Sequence, residues 1–262
     1  MKYNPYSISK FGTFESCNKK FKLQYIDKIK IEKIPQIALE RGLYFHTIIE
    51  NDYDYDIEIS TNDVFTEDEK QKCYNILKNF ENSEIGKFYK EKADIPWIES
   101  KHEEKFGFKV HNSEVISCNY WDKDCWIRGA IDFYYIEDDK LYIVDWKSGK
   151  DKSKDNEFGI IQAMAYTIYM FIKYPNINNI QANFVFIEHS TQKVINFNRN
   201  NFNKYIKYFY NKTKNLEKTE IFKENVSALC EYCDFKDIYC SSFKENEEKS
   251  KSIMNTKVSL DF

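Results

Sequence analysis

Residues 141–149 read LYIVDWKSG, and residues 128–132, shortly before them, read RGAID. Both set an aspartate beside bulky apolar residues, a pattern that predicts buried strands. Side chains alternate along a strand, so Asp145 and Lys147 are predicted to point to one face and Trp146 to the other. The two strands are therefore expected to bring acidic groups and an amine into an apolar setting.

Two aspartates in such strands predict a metal site. Burying an unpaired carboxylate is costly, and Lys147 alone would compensate poorly for both Asp132 and Asp145. Magnesium or manganese suits oxygen ligands from both aspartates and from the Trp146 backbone carbonyl. Lys147 would then orient or deprotonate a water, or stabilise negative charge in a transition state. The alternative is that both acids are strand-end residues, paired at the surface with Arg128 and Lys147.

The remaining pattern predicts an α/β fold with a mixed central sheet flanked by helices. Helices are predicted over 10–29, 36–51, 66–92, 156–174 and 200–216, and strands over 97–110, 114–121, 126–136, 140–147, 181–189 and 193–198. Residues 1–243 are expected to form one domain, with a helical part over 1–95, a catalytic sheet core over 96–198, and a C-terminal helix and cysteine cluster over 199–243. A disordered tail is expected over 244–262.

Composition excludes several classes of protein. The chain has 262 residues, a formal charge of −3 and 42% hydrophobic residues, which is typical of a folded domain and not of a disordered chain. The near-neutral charge argues against a uniformly basic nucleic-acid binder. No apolar stretch reaches the length of a membrane helix, and the N-terminal residues do not resemble a signal peptide. A cytoplasmic protein is expected.

Seven cysteines, an odd number, argue against a disulfide framework. Three of them form a C-x2-C-x6-C pattern near the C-terminus, and their thiolates are close enough in sequence to share one metal. The fourth ligand would be Cys17. Zinc is one possible occupant of such a site, and free reduced thiols are the other alternative. The remaining three, Cys73, Cys118 and Cys125, have no partner at ligand spacing and are expected to be ordinary thiols.

The order of these motifs resembles the PD-(D/E)XK nuclease superfamily, and within it the RecB-like branch. That branch includes the nuclease domains of RecB and AddB, phage recombination exonucleases and CRISPR-adaptation exonucleases. Asp132 matches the first aspartate of the family, and Asp145-Trp146-Lys147 matches its (D/E)-x-K element. The resemblance implies a restriction-endonuclease-like sheet and catalytic roles for Asp132, Asp145 and Lys147.

The resemblance also extends to two helices. His46, four residues after Gly42, matches a helical histidine that completes the family's metal site. The alternative is a core histidine. Gln162 and Tyr166 match a Q-x-x-x-Y element, and they share one helix face because they are four residues apart. The family resemblance directs this pair toward the active site and the DNA backbone. The alternative makes Tyr166 an ordinary core aromatic residue.

In the RecB-like branch, one cysteine before the nuclease core and three after it hold a 4Fe-4S cluster. The resemblance therefore implies that such a cluster joins the N- and C-terminal segments through Cys17, Cys230, Cys233 and Cys240. One departure is the last spacer, which has six residues here and five in many relatives. Zinc remains the alternative at the four cysteines.

The function expected from the resemblance is a metal-dependent DNA exonuclease acting on DNA ends or single strands, in repair, recombination, or phage or CRISPR DNA processing. The alternatives are a non-cleaving nucleic-acid-binding or scaffold subunit and a structure-specific endonuclease. Any helicase or recombination partner would be a separate protein, because the chain has no P-loop. The last residues, 257–262, weakly resemble peptides that dock on sliding clamps, although chance similarity is the alternative.

Overall fold

The computed structural model describes residues 2–33, 35–93, 103–149 and 157–241. These residues form two compact units. The large unit comprises residues 2–8 and the described part of 35–217, and the small unit comprises residues 9–33 and 218–241. The boundaries expected within residues 1–243 stay a prediction, and the expected tail over 244–262 lies outside the described residues.

The elements agree in type with most of those expected. The α-helices are α1 (Ile8–Ser16), α2 (Asn18–Phe21), α3 (Ile37–Glu50), α4 (Glu67–Asn82), α5 (Glu84–Ala93), α6 (Glu157–Lys173), α7 (Phe202–Lys218) and α8 (Lys236–Tyr239). The strands are β1 (Glu104–His111), β2 (Glu114–Cys118), β3 (Ile127–Ile131), β4 (Phe133–Glu137), β5 (Lys140–Lys147), β6 (Asn179–Phe186) and β7 (Thr191–Asn198). Within the described residues, no helix is both long enough and apolar enough to cross a membrane.

The large unit contains the predicted mixed sheet, with strand order β4-β5-β6-β7. Strands β5 and β6 are parallel, and the two outer pairs are antiparallel. Parallel neighbours require a crossover connection, and α6 lies in that connection. Strands β2, β1 and β3 form a second, antiparallel sheet in that order. The α/β fold and its mixed sheet are thus confirmed.

One hydrophobic core lies where α3, α4 and α5 meet one face of the mixed sheet. Trp146 of β5 is at its centre, with its ring centroid 6.1 Å from that of Phe80 and 5.5 Å from that of Tyr89. Because alternate residues point to opposite faces, Trp146 is directed into this core, whereas its neighbours Asp145 and Lys147 are directed away from it.

The strand expected over 126–136 is interrupted at Asp132, which corrects the sequence prediction. Strand β3 ends at Ile131 and pairs with β1, whereas β4 begins at Phe133 and pairs with β5. Only the second part of the predicted strand, β4, therefore forms a hairpin with β5. At the corner between the two sheets, the Asp132 side chain accepts a hydrogen bond from the backbone N–H of Trp146. Apolar alternation continues through the corner, so the sequence pattern did not reveal the interruption.

The helix expected over 66–92 is also divided, and Ser83 is the reason. Its backbone N–H bonds to the Phe80 carbonyl at 3.0 Å and ends α4. Its hydroxyl accepts the N–H of Gly86 at 3.1 Å, which caps the first turn of α5. A serine that satisfies backbone donors in this way favours a helix start over a helix interior.

The small unit combines N-terminal and C-terminal segments. The backbone N–H of Lys19 donates to the Lys223 carbonyl at 3.0 Å, and the rings of Phe21 and Phe222 stack with centroids 6.3 Å apart. The helix expected over 10–29 is divided here, because α1 ends at Ser16 and a π-helical turn covers Lys22–Ile26. Contacts between ordinary protein groups therefore join the two segments that a metal cluster was predicted to join.

Candidate active site

The candidate site lies in the large unit, at the carboxyl end of β5. Its residues come from the β3–β4 corner, the end of β5, and the helices α3 and α6. They are Asp132; Asp145, Trp146 and Lys147; His46; and Gln162 and Tyr166. Every site residue named from the sequence outside the cysteine set is thus brought into one connected group.

Asp132 is buried at this corner, with 9% of its surface exposed. Its Oδ2 accepts the Trp146 N–H at 2.8 Å, which fixes the carboxyl group against β5. Burial and, secondly, the nearby charge of Asp145 raise the pKa of Asp132 well above its ordinary value. The two acids therefore disfavour each other's charge, and a cation between them would relieve this repulsion.

Asp145 and Lys147 form an ion pair on the face of β5 that points away from the core around Trp146. The Lys147 ammonium nitrogen lies 2.5 Å from Asp145 Oδ2. Asp145 is 3% exposed, and its Oδ2 accepts no hydrogen bond of good geometry from the described residues. The charge of this buried oxygen is therefore balanced by Lys147. The alternation along the strand had predicted that Asp145 and Lys147 share one face.

Gln162 and Tyr166 of α6 hold the other oxygen of the same carboxylate. The Gln162 amide nitrogen and the Tyr166 hydroxyl each donate to Asp145 Oδ1 at 2.9 Å. The Gln162 amide oxygen accepts from Lys147 Nζ, also at 2.9 Å. Gln162 therefore bridges the acid and the amine. The role toward DNA that the resemblance implied for Gln162 and Tyr166 stays a prediction.

His46 reaches the site from α3. Its Nε2 lies 3.1 Å from the Trp146 carbonyl oxygen, and its Nδ1 lies 3.7 Å from Asp132 Oδ2. Burial lowers the pKa of His46, which favours the neutral ring that binds metals. When Nε2 carries the ring proton, it donates to the carbonyl. When Nδ1 carries it, the Nε2 lone pair faces the carbonyl oxygen, an arrangement that is favourable only around a cation.

Glu50 is a further acid at this site that was not singled out in the sequence. It lies one helical turn after His46 on α3, and its Oε1 is 3.9 Å from His46 Nδ1. Its charge also contributes to the raised pKa of Asp132. The i, i+4 spacing from His46 is the signal that could have identified it.

The groups at this site are of the types that bind a hard divalent cation, but they do not surround a single point. Within the part of the chain that the structure describes, no three His, Cys, Asp or Glu side chains are grouped closely enough to hold a metal ion. The fit rests on Asp145 Oδ2, which is buried without a hydrogen bond, and on a neutral imidazole facing a backbone carbonyl. These are oxygen and imidazole ligands that magnesium and manganese accept.

The predicted four-cysteine cluster is not seen. Cys17, Cys230, Cys233 and Cys240 all belong to the small unit, but they are free thiols that form no ligand group within the described residues. Cys17 instead accepts the N–H of Lys20 and caps α2. The sequence spacing placed these cysteines in one unit correctly but did not establish a bound metal.

Comparison with known proteins adds family membership to this geometry. The model of the PD-(D/E)XK nuclease superfamily matches residues 5–240, nearly the whole chain. The chain belongs to the PD-(D/E)XK nuclease superfamily. It is therefore a nuclease and a hydrolase, with DNA as the substrate class that the superfamily implies. PD-(D/E)XK nucleases generally use Mg²⁺ or Mn²⁺, in agreement with the metal expected from the two aspartates.

Solved structures resemble this PD-(D/E)XK chain in fold at low sequence identity. A candidate exonuclease from Eubacterium rectale is 12% identical, with a TM-score of 0.50, covering 87% of this chain and 92% of that chain. The protein SSO0001 is 10% identical, with a TM-score of 0.43, covering 91% of this chain and 86% of that chain. No curated protein matches this sequence.

Proposed function

We propose that this PD-(D/E)XK chain is a metal-dependent exonuclease that hydrolyses phosphodiester bonds at DNA ends or in single-stranded DNA. The observation that carries the proposal is the convergence of Asp132, Asp145, Lys147 and His46 at the end of β5. Repair, recombination and phage or CRISPR DNA processing are the settings in which we expect this activity.

The proposed metal is magnesium or manganese, held by His46, Asp132, Asp145 and the Trp146 carbonyl. Three features support these ligands: the mutual repulsion of the two acids, the buried Asp145 Oδ2 whose described partner is the Lys147 ammonium group, and the neutral imidazole. When bound, such a metal supplies Lewis acidity and lowers the pKa of a coordinated water.

Lys147 is the proposed catalytic amine. Its ammonium group contacts both the Asp145 carboxylate and the Gln162 amide oxygen, so its position is fixed before substrate binds. A fixed cation costs no reorganisation when negative charge develops on the phosphate. We propose that Lys147 Nζ stabilises this charge or orients the attacking water.

Gln162 and Tyr166 are proposed to be positioning residues. Both donate to Asp145 Oδ1, which leaves Oδ2 directed away from α6 toward Lys147. Without them, Asp145 Oδ1 would lose both of these hydrogen bonds, and the Lys147 ion pair alone would hold the carboxylate. A direct contact with the DNA strand remains part of the proposal for Gln162 alone, because Tyr166 is only 3% exposed.

The choice of exonuclease rests on the resemblance to recombination and CRISPR-adaptation exonucleases. The Eubacterium rectale protein of similar fold is also named as an exonuclease candidate. A structure-specific endonuclease on the same fold would cut circular DNA, so the topology of the substrate separates the two activities.

The test is cleavage of end-labelled linear DNA and of circular single-stranded DNA with Mg²⁺ or Mn²⁺. Wild type is expected to degrade linear DNA only, and Asp145→Asn and Lys147→Ala are expected to lose this activity. Lys140→Ala is the matched control, because Lys140 lies on the same strand and also bonds to a glutamine, Gln181, at 2.7 Å. Binding without cleavage in wild type, across both metals, would instead indicate a scaffold subunit.

We also propose a 4Fe-4S cluster at Cys17, Cys230, Cys233 and Cys240, with zinc as the alternative. Two backbone N–H groups already donate to sulfur, from Lys20 to Cys17 and from Ser227 to Cys230, and such bonds stabilise thiolate ligands. Iron and zinc analysis of anaerobically purified protein tests this. Iron with visible absorption that is lost in Cys233→Ser supports the cluster, and a colourless, metal-free protein refutes it.

A further inference from the structure

Two cysteines without a predicted partner, Cys118 and Cys125, lie close together at the three-stranded sheet of the large unit. Cys118 ends β2, and its partner across the ladder on β1 is Gly107. Cys125 lies just before β3, where the next residue, Trp126, donates its N–H to the Phe108 carbonyl. Residues 119–124 connect the two cysteines.

Gly107 provides the space in which the two sulfurs meet. A Cβ atom added to Gly107 would lie 3.1 Å from the sulfur of Cys118 and 2.9 Å from that of Cys125. Directly opposed residues of an antiparallel pair point to the same face, so the Cys118 side chain occupies the face that Gly107 leaves empty. Both sulfurs therefore lie beside the same glycine, and the Cys125 thiol donates to the Ile127 carbonyl at 3.2 Å.

We propose that Cys118 and Cys125 are a dithiol that closes to a disulfide by exchange with a low-molecular-weight disulfide. This inference is independent of the nuclease function. It replaces the expectation that both residues are ordinary thiols.

The two cysteines differ in accessibility, which sets the order of the reaction. Cys125 is fully buried, whereas Cys118 is partly exposed. Burial and, secondly, the neighbouring Cys118 thiol raise the pKa of Cys125 to about 12, and burial also raises the pKa of Cys118. Cys118 is therefore the thiol that meets the reagent, and Cys125 is the thiol that resolves the intermediate. Both raised pKa values predict a slow exchange.

The exchange is balanced in two steps. Cys118 loses its proton and attacks one sulfur of the small disulfide, which forms a mixed disulfide and expels one small thiolate. Cys125 then loses its proton and attacks the Cys118 sulfur, which forms the Cys118–Cys125 bond and expels the second thiolate. The two small thiolates take up the two protons, so the protein pair is oxidised by two electrons and the small disulfide is reduced by two.

Trypsin offers a direct readout, because Lys123 separates the two cysteines. Cleavage after Lys109, Lys123 and Arg128 places Cys118 in peptide 110–123 and Cys125 in peptide 124–128. The folded chain is incubated with oxidised glutathione, quenched in acid, alkylated and digested. The expected product is the two peptides joined, with a mass two hydrogen atoms below their sum and lost on reduction. A stable glutathione adduct on Cys118, or alkylation of both cysteines, would overturn the proposal.

Two alanine variants test whether disulfide formation depends on the space beside Gly107 or only on the short sequence distance between Cys118 and Cys125. Gly107→Ala pushes a methyl group between the sulfurs and is expected to abolish the joined peptide. Gly129→Ala in the same sheet meets the Phe106 ring instead and is the matched control. Equal linkage in both variants would refute the role of the Gly107 space.

Single cysteine variants keep the proposal testable if Gly107→Ala does not fold. In Cys125→Ser, the glutathione adduct is expected to persist on Cys118. In Cys118→Ser, the buried Cys125 is expected to acquire no glutathione while the protein stays folded. The reverse pattern would contradict the order of attack.

Discussion

At the scale of single residues, the buried charge of Asp132 should lower the free energy of unfolding of the protein in the absence of metal. Asp132→Asn removes that charge and keeps an oxygen that can accept the Trp146 N–H. We expect the variant to be more stable than wild type by about 1 to 3 kcal/mol at pH 7. Thermal unfolding without metal measures this difference. Asp138→Asn, in the exposed turn between β4 and β5, is the matched control and should change little.

The pH dependence of that difference follows from the raised pKa of Asp132. Below the ordinary pKa of 3.8, Asp132 is protonated in both the folded and unfolded states, so wild type and variant should be similar. Between that value and the raised folded pKa, the folded state binds more protons, so wild-type stability falls as the pH rises. The advantage of Asp132→Asn should therefore grow with pH, and an advantage that shrinks would contradict this account.

The hydroxyl of Tyr166 should matter for turnover more than for stability of the fold. Tyr166→Phe removes one hydrogen bond to Asp145 Oδ1, and a bond to a charged group contributes about 1.5 to 3 kcal/mol. We expect kcat to fall about tenfold or more if this bond positions the acid in the transition state. Steady-state cleavage of linear DNA measures this effect.

Tyr169→Phe is the matched control for that experiment. Tyr169 lies on the same helix and also donates to a carboxylate, Glu104 at 2.6 Å, which is not part of the Asp145 group. Equal losses in the two variants would show that the hydroxyls act through the general stability of α6.

At the scale of elements, two helical glycines should respond oppositely to alanine. A Cβ at Gly86 would overlap the Phe80 carbonyl where α5 turns away from α4, whereas a Cβ at Gly42 would meet only Ser148 Oγ at an ordinary 3.5 Å. We expect Gly86→Ala to destabilise by about 2 kcal/mol or more, and Gly42→Ala to stabilise by up to about 1 kcal/mol. Denaturant unfolding measures both, and similar values would refute the predicted crowding at Gly86.

Sequence patterns predicted helices and strands well where one hydrophobic periodicity continued through the whole element. The run of β5 fixed which face carries Asp145 and Lys147, and the ion pair between them confirms that alternation. The interruption at Asp132 was missed because apolar residues continue on both sides of the corner, and only strand pairing distinguishes the two sheets. Likewise, the proximity of Cys118 and Cys125 depends on the register of β1 with β2, which no local pattern specifies.

At the scale of the whole molecule, the first residues are an integral part of the large unit. Tyr6 is fully buried, its N–H donates to the Trp126 carbonyl at 2.8 Å, and its carbonyl accepts the Arg128 N–H at 2.9 Å. We expect Tyr6→Ala to cost about 3 to 5 kcal/mol, as for other buried aromatic residues. Tyr210→Ala, at a site that is 46% exposed, should cost far less. Chemical denaturation of the two variants tests this contrast.

The joining of the N- and C-terminal segments could be predicted only in part from the sequence. The family resemblance implied that the N- and C-terminal segments are joined, and the Lys19–Lys223 and Phe21–Phe222 contacts of the small unit join them without the predicted cluster. The sequence could not show which interactions join them, because hydrogen bonds and ring stacking between distant segments have no local signature.

The location of Asp132 between two sheets gives the proposed active site a mechanical dependence on both sheets. Asp145 is fixed within one sheet by neighbours on both sides, whereas Asp132 is covalently attached to both sheets at once. A small shear of one sheet over the other would thus alter the separation of the two acids while leaving each sheet intact. Substitutions in β1 or β2 should therefore change the rate of hydrolysis even where the substituted residue does not contact DNA.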